Sequence, residues 1–188
     1  CRRLGMSVNF SARQFSQPDL LEQIATVLGE RGLDPRGFSM EITETVLVRD
    51  PALAAVRLQQ LRDLGVRLAI DDFGTGYSSL SYLRRFPIDM LKIDKAFVDG
   101  IGKGREDTAL AHAIVKLSHT LQLHTVAEGI EQAEQAAHLA SLGCQDGQGF
   151  LFARPLDSEA MTELLAKSLA DGGFYLPVAQ NLEAAVGT

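Results

Sequence analysis

The sequence has no tryptophan, two cysteines, six prolines and only 6% aromatic residues among 188. Two cysteines, Cys1 and Cys144, make neither a disulfide framework nor a CxxC metal site, so a reducing compartment is the simplest reading and a cytoplasmic location is expected. No apolar run reaches the roughly 18–20 residues that span a bilayer, and the opening CRRLGMSVNF has no signal-peptide core, so no membrane contact by this domain is expected. Positive charge is also short. With 18 Lys and Arg against 24 Asp and Glu the net charge is −6, which excludes the broad basic field that holds a nucleic-acid polymer. Any phosphate must therefore be held locally. What remains is a globular composition, 46% hydrophobic, that fits one domain over residues 1–170. The final stretch, 171–188, has no helical or strand period and reads as a loosely attached tail.

Short β-rich runs alternate with amphipathic helices. The runs are Ser7 to Ser11, Phe38 to Thr43, Arg67 to Asp72, Met90 to Asp94, His124 to Glu128 and Gln148 to Phe152. Between them, Pro18 and Asp50-Pro51 open helices, and Gly32, Gly65 and Gly143 follow helix ends. Strict alternation predicts an α/β fold with a parallel sheet, either doubly wound or an eight-unit barrel. The Gly100-Ile101-Gly102 segment is no dinucleotide fingerprint, because Arg105 stands where its third glycine belongs, and the GxxxxGK[ST] phosphate loop is absent.

Polar side chains stand at or near the C-terminal ends of the first five runs, Asn9, Glu41 with Glu44, Asp71 with Asp72, Lys92 with Asp94, and Glu128 with Glu131, and Gln148 stands at the boundary of the sixth. In a parallel barrel those ends converge on one mouth, where the chemistry of that fold is done. Several carboxylates brought together need a counter-charge, and hard oxygen ligands suit Mg²⁺ or Mn²⁺. The four histidines lack HExxH spacing, and no GxSxG elbow surrounds Ser78 or Ser79. Adjacent acids such as Asp71 and Asp72 are suited to bridging two metals for in-line displacement at phosphorus, with Lys92 as a cation near the attacking water or a phosphoryl oxygen. Singly, each has a plainer reading: Asn9 and Gln148 as turn or capping groups, Glu44 and Glu131 as first-turn helix acids, Lys92 as a snorkelling base. Asp71-Asp72 resists one, because two carboxylates closing the apolar Leu68-Ala69-Ile70 make a poor core and a poor turn.

At these residues the sequence resembles the EAL domain family of bacterial cyclic di-GMP phosphodiesterases. The matching segments are VNFS from Val8, MEITET from Met40, AIDDFGTGYSSLSYL from Ala69, LKIDKAFV from Leu91, TVAEGIE from Thr125 and CQDGQGFLFARPL from Cys144. The resemblance implies a modified (β/α)8 barrel that hydrolyses cyclic di-GMP to linear pGpG with two Mg²⁺ or Mn²⁺ ions. It further implies that Asn9, Glu41 and Asp71 hold the first metal, and that Asp71 and Asp72, with Glu128, hold the second. Lys92 would position the water, Glu128 would act as general base, and Gln148 would complete the mouth. Asp94 and Glu131 are expected to support these groups. The loop Phe73, Gly74, Thr75, Gly76, Tyr77, Ser78 would control activity and a homodimer contact, steadied by Glu44. Six β/α units are visible; the family's first two strands, with the Glu-Ala-Leu signature and one further metal ligand, are expected before Val8. The chain as given is thus expected to be a fragment of low activity, fused in its parent to an upstream sensor, receiver or GGDEF domain. A catalytically inactive cyclic di-GMP receptor is the competing expectation.

Overall fold

A computed structural model describes residues 4–74, 83–101 and 105–170. The chain divides into two compact units, Cys1–Asp94 with Lys116–Thr125, and Lys95–Val115 with Val126–Thr188.

The first unit is built on parallel strands β1 (Met6–Phe10), β2 (Phe38–Thr43), β3 (Arg67–Phe73) and β4 (Met90–Ile93), paired in chain order. Asp89 extends this ladder just before β4. Its N–H donates to the Leu68 carbonyl, its carboxylate accepts from the Leu68 N–H, and its carbonyl accepts from the His124 N–H, each at 2.9 Å. The helices between the strands are α1 (Ala12–Phe15), α2 (Leu20–Glu30), α3 (Glu44–Arg49) and α4 (Pro51–Asp63). In α2, Leu20, Ile24 and Leu28 are buried, and in α4, Ala54, Leu58 and Leu61, the spacing that one helical face requires. Asp50 caps α4 by accepting from the Leu53 N–H at 3.0 Å, and Pro51 fills its first turn. Gly65, at φ +89°, ends the same helix in a left-handed conformation.

Register decides which face each strand residue takes. Asn9 pairs with Glu41, Glu41 with Ala69, and Ala69 with Met90, and residues two apart on a strand share a face. Asn9, Glu41, Ala69, Asp71, Met90 and Lys92 therefore lie on one face. The opposite face carries Met40, Ile42, Leu68, Ile70, Leu91 and Ile93, all at most 2% exposed. The two-residue period thus places Asn9, Glu41, Asp71 and Lys92 on the face opposite this apolar layer.

The second unit contains α5 (Lys95–Asp99), the N-terminal part of α6 (Arg105–Thr120), the end of β5 (His124–Ala127), α7 (Ala133–Ser141), β6 (Asp146–Gly147) and α8 (Ser158–Ala170). Val126 and Ala127 pair in parallel with Asp146 and Gly147. Val98, Ala111, Val115, Ala127, Ile130 and Leu139 form its core.

The parallel α/β class expected from sequence is the class found. Five expected strands fall within a residue or two of those observed, whereas the sixth is displaced. Gln148 to Phe152 is not a strand: the pairing ends at Gly147, and the Phe152 and Ala153 N–H groups turn back to the Gly149 carbonyl. A Cβ at Gly149 would stand 2.7 Å from the Ile130 carbonyl carbon, so the chain passes Ile130 too closely for any other residue and bends away. The helix α3 lies in Glu44 to Arg49, whose Val and Thr residues hide a helical period. Of the Gly100 to Gly104 segment, Gly102, Lys103 and Gly104 lie outside the described residues, as does the tail from 171.

The asymmetry between faces sets a stability expectation. Leu68→Ala, on the apolar face, should cost about 2–5 kcal/mol in urea unfolding. Leu53→Ala, at an exposed position of α4, should stay within about 0.5–1 kcal/mol of the parent.

Candidate metal centre

In the first unit, Glu41, Asp71 and Lys92 are buried together, at 6%, 8% and 3% exposure. The Lys92 ammonium lies between the two carboxylates, donating to Glu41 Oε2 and standing 3.0 Å from Asp71 Oδ1. One cation against two anions leaves this cluster negative, a condition that a low-dielectric interior penalises steeply.

Asp72 adds to that charge through an irregularity in the sheet. Ile70 pairs with Leu91 and Phe73 with Ile93, so Asp71 and Asp72 stand opposite the single residue Lys92. This is a β-bulge, and Asp72 accommodates it at φ +54°, a left-handed conformation that aspartate tolerates better than most residues. Without the bulge, strand alternation would send Asp71 and Asp72 to opposite faces. With it, the Asp72 carboxyl senses Asp71, Asp94 and Lys92 at once. Burial first, then the charges of Asp71 and Asp94 and a hydrogen bond with Asp94, hold Asp72 above the ordinary aspartate range, and Lys92 offsets this only partly.

Asn9 is exposed on β1 beside Glu41 and on the same face. Glu44 opens α3 and is buried, and neither of its carboxylate oxygens has a partner among the described residues. Phe73 closes β3 in the core, and Gly74 follows at φ +93°. Thr75, Gly76, Tyr77 and Ser78 lie outside the described residues.

In the second unit, Glu128 follows β5 directly, and its Oε1 accepts from Gln148 Nε2 at 3.0 Å. Glu131 is half-exposed and pairs at 2.6 Å with Lys95, which also reaches Asp99 at 3.2 Å. These carboxylates raise the Lys95 pKa, the hydrogen bond that Lys95 donates to Glu131 contributing most, so the ammonium is charged throughout the physiological range. Lys95 stands in the LKIDKAFV segment, yet nothing in the order of residues signals its pairing with Glu131. Gln135 was likewise not legible. Buried on α7, it accepts from the Glu131 and Gln132 N–H groups at 2.9 and 3.0 Å and donates to the Val98 carbonyl at 3.1 Å.

The donors at these strand ends are carboxylate and amide oxygens, crowded and short of positive charge, which is the chemistry of a hard divalent cation site. A parallel α/β domain with acids gathered at the ends of its strands is the class of protein so defined. The chain belongs to the EAL domain family, whose model matches residues 2–155. It is 42% identical to the bifunctional diguanylate cyclase/cyclic di-GMP phosphodiesterase MucR of Pseudomonas aeruginosa over 161 residues, covering 86% of this chain and 24% of MucR. The chain thus spans about a quarter of that relative's length. The solved structure of the MucR phosphodiesterase in complex with c-di-GMP superposes with a TM-score of 0.81 at 43% identity, over 84% of this chain and 64% of that one. The EAL domain of Mycobacterium smegmatis DcpA gives a TM-score of 0.84 at 39% identity, over 88% and 74% of the two chains. Klebsiella pneumoniae BlrP1, solved as a manganese and cyclic di-GMP complex, gives 0.74 at 36% identity over 80% and 39%. These likenesses show the fold to be that of EAL domains.

Two outcomes are expected from the first unit's charge cluster. A raised Asp72 pKa stabilises the fold below the ordinary aspartate pKa, and that contribution is lost as pH climbs through the raised value. Ionised Asp72 therefore burdens the metal-free fold at neutral pH. Asp72→Asn, which also tolerates the left-handed backbone, should raise the melting temperature in EDTA at pH 7, with the gain vanishing by about pH 4. Lys92→Met should destabilise the metal-free protein by about 3–5 kcal/mol in urea unfolding, because it leaves Glu41 and Asp71 uncompensated, and by less with Mn²⁺ present.

Proposed function

We propose that this domain is a cyclic di-GMP phosphodiesterase that cleaves one phosphodiester to give linear pGpG, with two Mg²⁺ or Mn²⁺ ions as cofactors. The observation that carries the reading is the shared face of Asn9, Glu41, Asp71 and Lys92, joined by the bulge that adds Asp72, in a chain of the EAL family. Asn9, Glu41 and Asp71 would hold one ion, and Asp71 and Asp72, with Glu128, the other. Two such ions supply a nucleophilic water at neutral pH and offset the charge that develops at phosphorus. They also reconcile a net charge of −6 with an anionic substrate.

The protein's own groups divide the remaining work. Lys92, fixed by two carboxylates, presents a positioned ammonium to the attacking water or a phosphoryl oxygen. Glu128 accepts the proton of the water, and Gln148, bonded to Glu128 Oε1, holds the carboxylate in its orientation. Asp94 shares a hydrogen bond with Asp72 and supports its placement. Glu44, buried in the first turn of α3, is read as the support of the segment that begins at Phe73 and Gly74, through which a homodimer would form. The whole protein, with an upstream sensor, receiver or GGDEF domain, is read as a cytoplasmic signalling enzyme.

The test is incubation of the full-length protein with cyclic di-GMP and Mn²⁺, with product identified by mass spectrometry. Linear pGpG is expected, activity should vanish in EDTA, and Asp71→Asn should lower kcat by on the order of 10²–10³-fold. Tight binding without linear product would replace the enzyme by a cyclic di-GMP receptor.

A further inference from the structure

Glu128 sits in a four-residue turn, Glu128 to Glu131, that is held from two sides. On one side is the segment after β6. The Ile130 N–H donates to the Gln148 carbonyl at 3.0 Å, the Leu151 N–H donates to the Ile130 carbonyl at 2.9 Å, and Gly149 lies against the Ile130 backbone. On the other side is Lys95, at the start of α5. Gly129 has φ +68°, and a Cβ there would stand 2.7 Å from both Cβ and Cδ of Lys95 and closer still to Cγ. The Lys95 stem thus fills the space that a side chain at 129 would need. The Lys95 ammonium then reaches Glu131, at the far end of the turn, and Asp99, one turn along α5.

We infer that Lys95 is a positioning residue for Glu128: its stem backs Gly129, its ammonium tethers Glu131, and together they fix the direction in which the Glu128 carboxylate leaves the chain. This rests on the assignment of Glu128 as a metal ligand and base. The argument is geometric. The Lys95–Glu131 pair is nearly half exposed on both sides, and exposed ion pairs contribute little to global stability. A ligand-bearing turn is different, because displacing a carboxylate by a fraction of an ångström weakens metal binding with the fold intact. Gln135, which binds the Glu131 and Gln132 N–H groups and the Val98 carbonyl, ties the same turn to the same helix α5. Lys95 is therefore anchored to an element that the turn already contacts.

The experiment measures Mn²⁺ binding to the full-length protein by electron paramagnetic resonance of the free ion, without cyclic di-GMP, with melting temperatures recorded alongside. The variants are Lys95→Ala, Lys95→Arg and Glu131→Gln. Lys95→Ala should weaken Mn²⁺ binding roughly ten- to a hundredfold, the range found when groups that orient metal ligands are removed. Glu131→Gln should shift it in the same direction by less, and Lys95→Arg, which keeps both stem and charge, should restore binding close to the parent. Wild-type Mn²⁺ affinity in Lys95→Ala would overturn the proposal and leave the phosphodiesterase reading standing. No Mn²⁺ uptake by the parent protein would overturn both. If Lys95→Ala fails to fold, the surface variant Glu131→Gln decides, and unchanged affinity there overturns the tether.

Discussion

The burial of Lys92 between Glu41 and Asp71 is the interaction on which the candidate centre depends. Two carboxylates at 6% and 8% exposure are tolerated in a sheet only with a counter-charge within reach, and Lys92 supplies it from β4, next to the strand of Asp71 and one strand beyond that from Glu41. The arrangement is still short of positive charge, and Asp72 deepens the shortfall. The metal-free cluster is therefore a compromise, stable enough to fold and charged enough to favour a divalent ion. What makes the compromise affordable is the opposite face of the same strands. Met40, Ile42, Leu68, Ile70, Leu91 and Ile93 bury an unbroken apolar layer that does not meet the charges.

Much of this was written in the order of residues. The apolar runs Phe38 to Thr43, Arg67 to Asp72 and Met90 to Asp94 gave strands in the right places because their length, β-branching and flanking helix signals agree. The polar residues at the strand ends were equally visible, since period and position place Glu41, Asp71 and Lys92 on one face once the register is known. The sixth strand was misplaced because Phe150, Leu151 and Phe152 are apolar in the manner of a strand. What stops them pairing is the close passage of Gly149 past Ile130, a contact between distant parts of the chain.

The features that escaped sequence reasoning share that character. The bulge at Asp71 and Asp72 is a mismatch between two strands, so neither strand encodes it alone. Lys95 and Glu131 are 36 residues apart, and Gln135 and Val98 are 37 apart. Each is a polar group whose partner is set by how the segments after β4 and β5 pack. A motif scan records such residues as members of a block, whereas their roles emerge from contacts between blocks.

At position 72 the idea of a conservative replacement divides in two. The backbone there is left-handed, which favours glycine, asparagine and aspartate, while the neighbours Asp71, Asp94 and Lys92 respond to charge. Glutamate would keep the charge and fit the backbone poorly. Asparagine would keep the backbone and surrender the charge. Among the natural side chains only aspartate meets both demands, so similarity in a substitution table and fitness at this site are ordered differently.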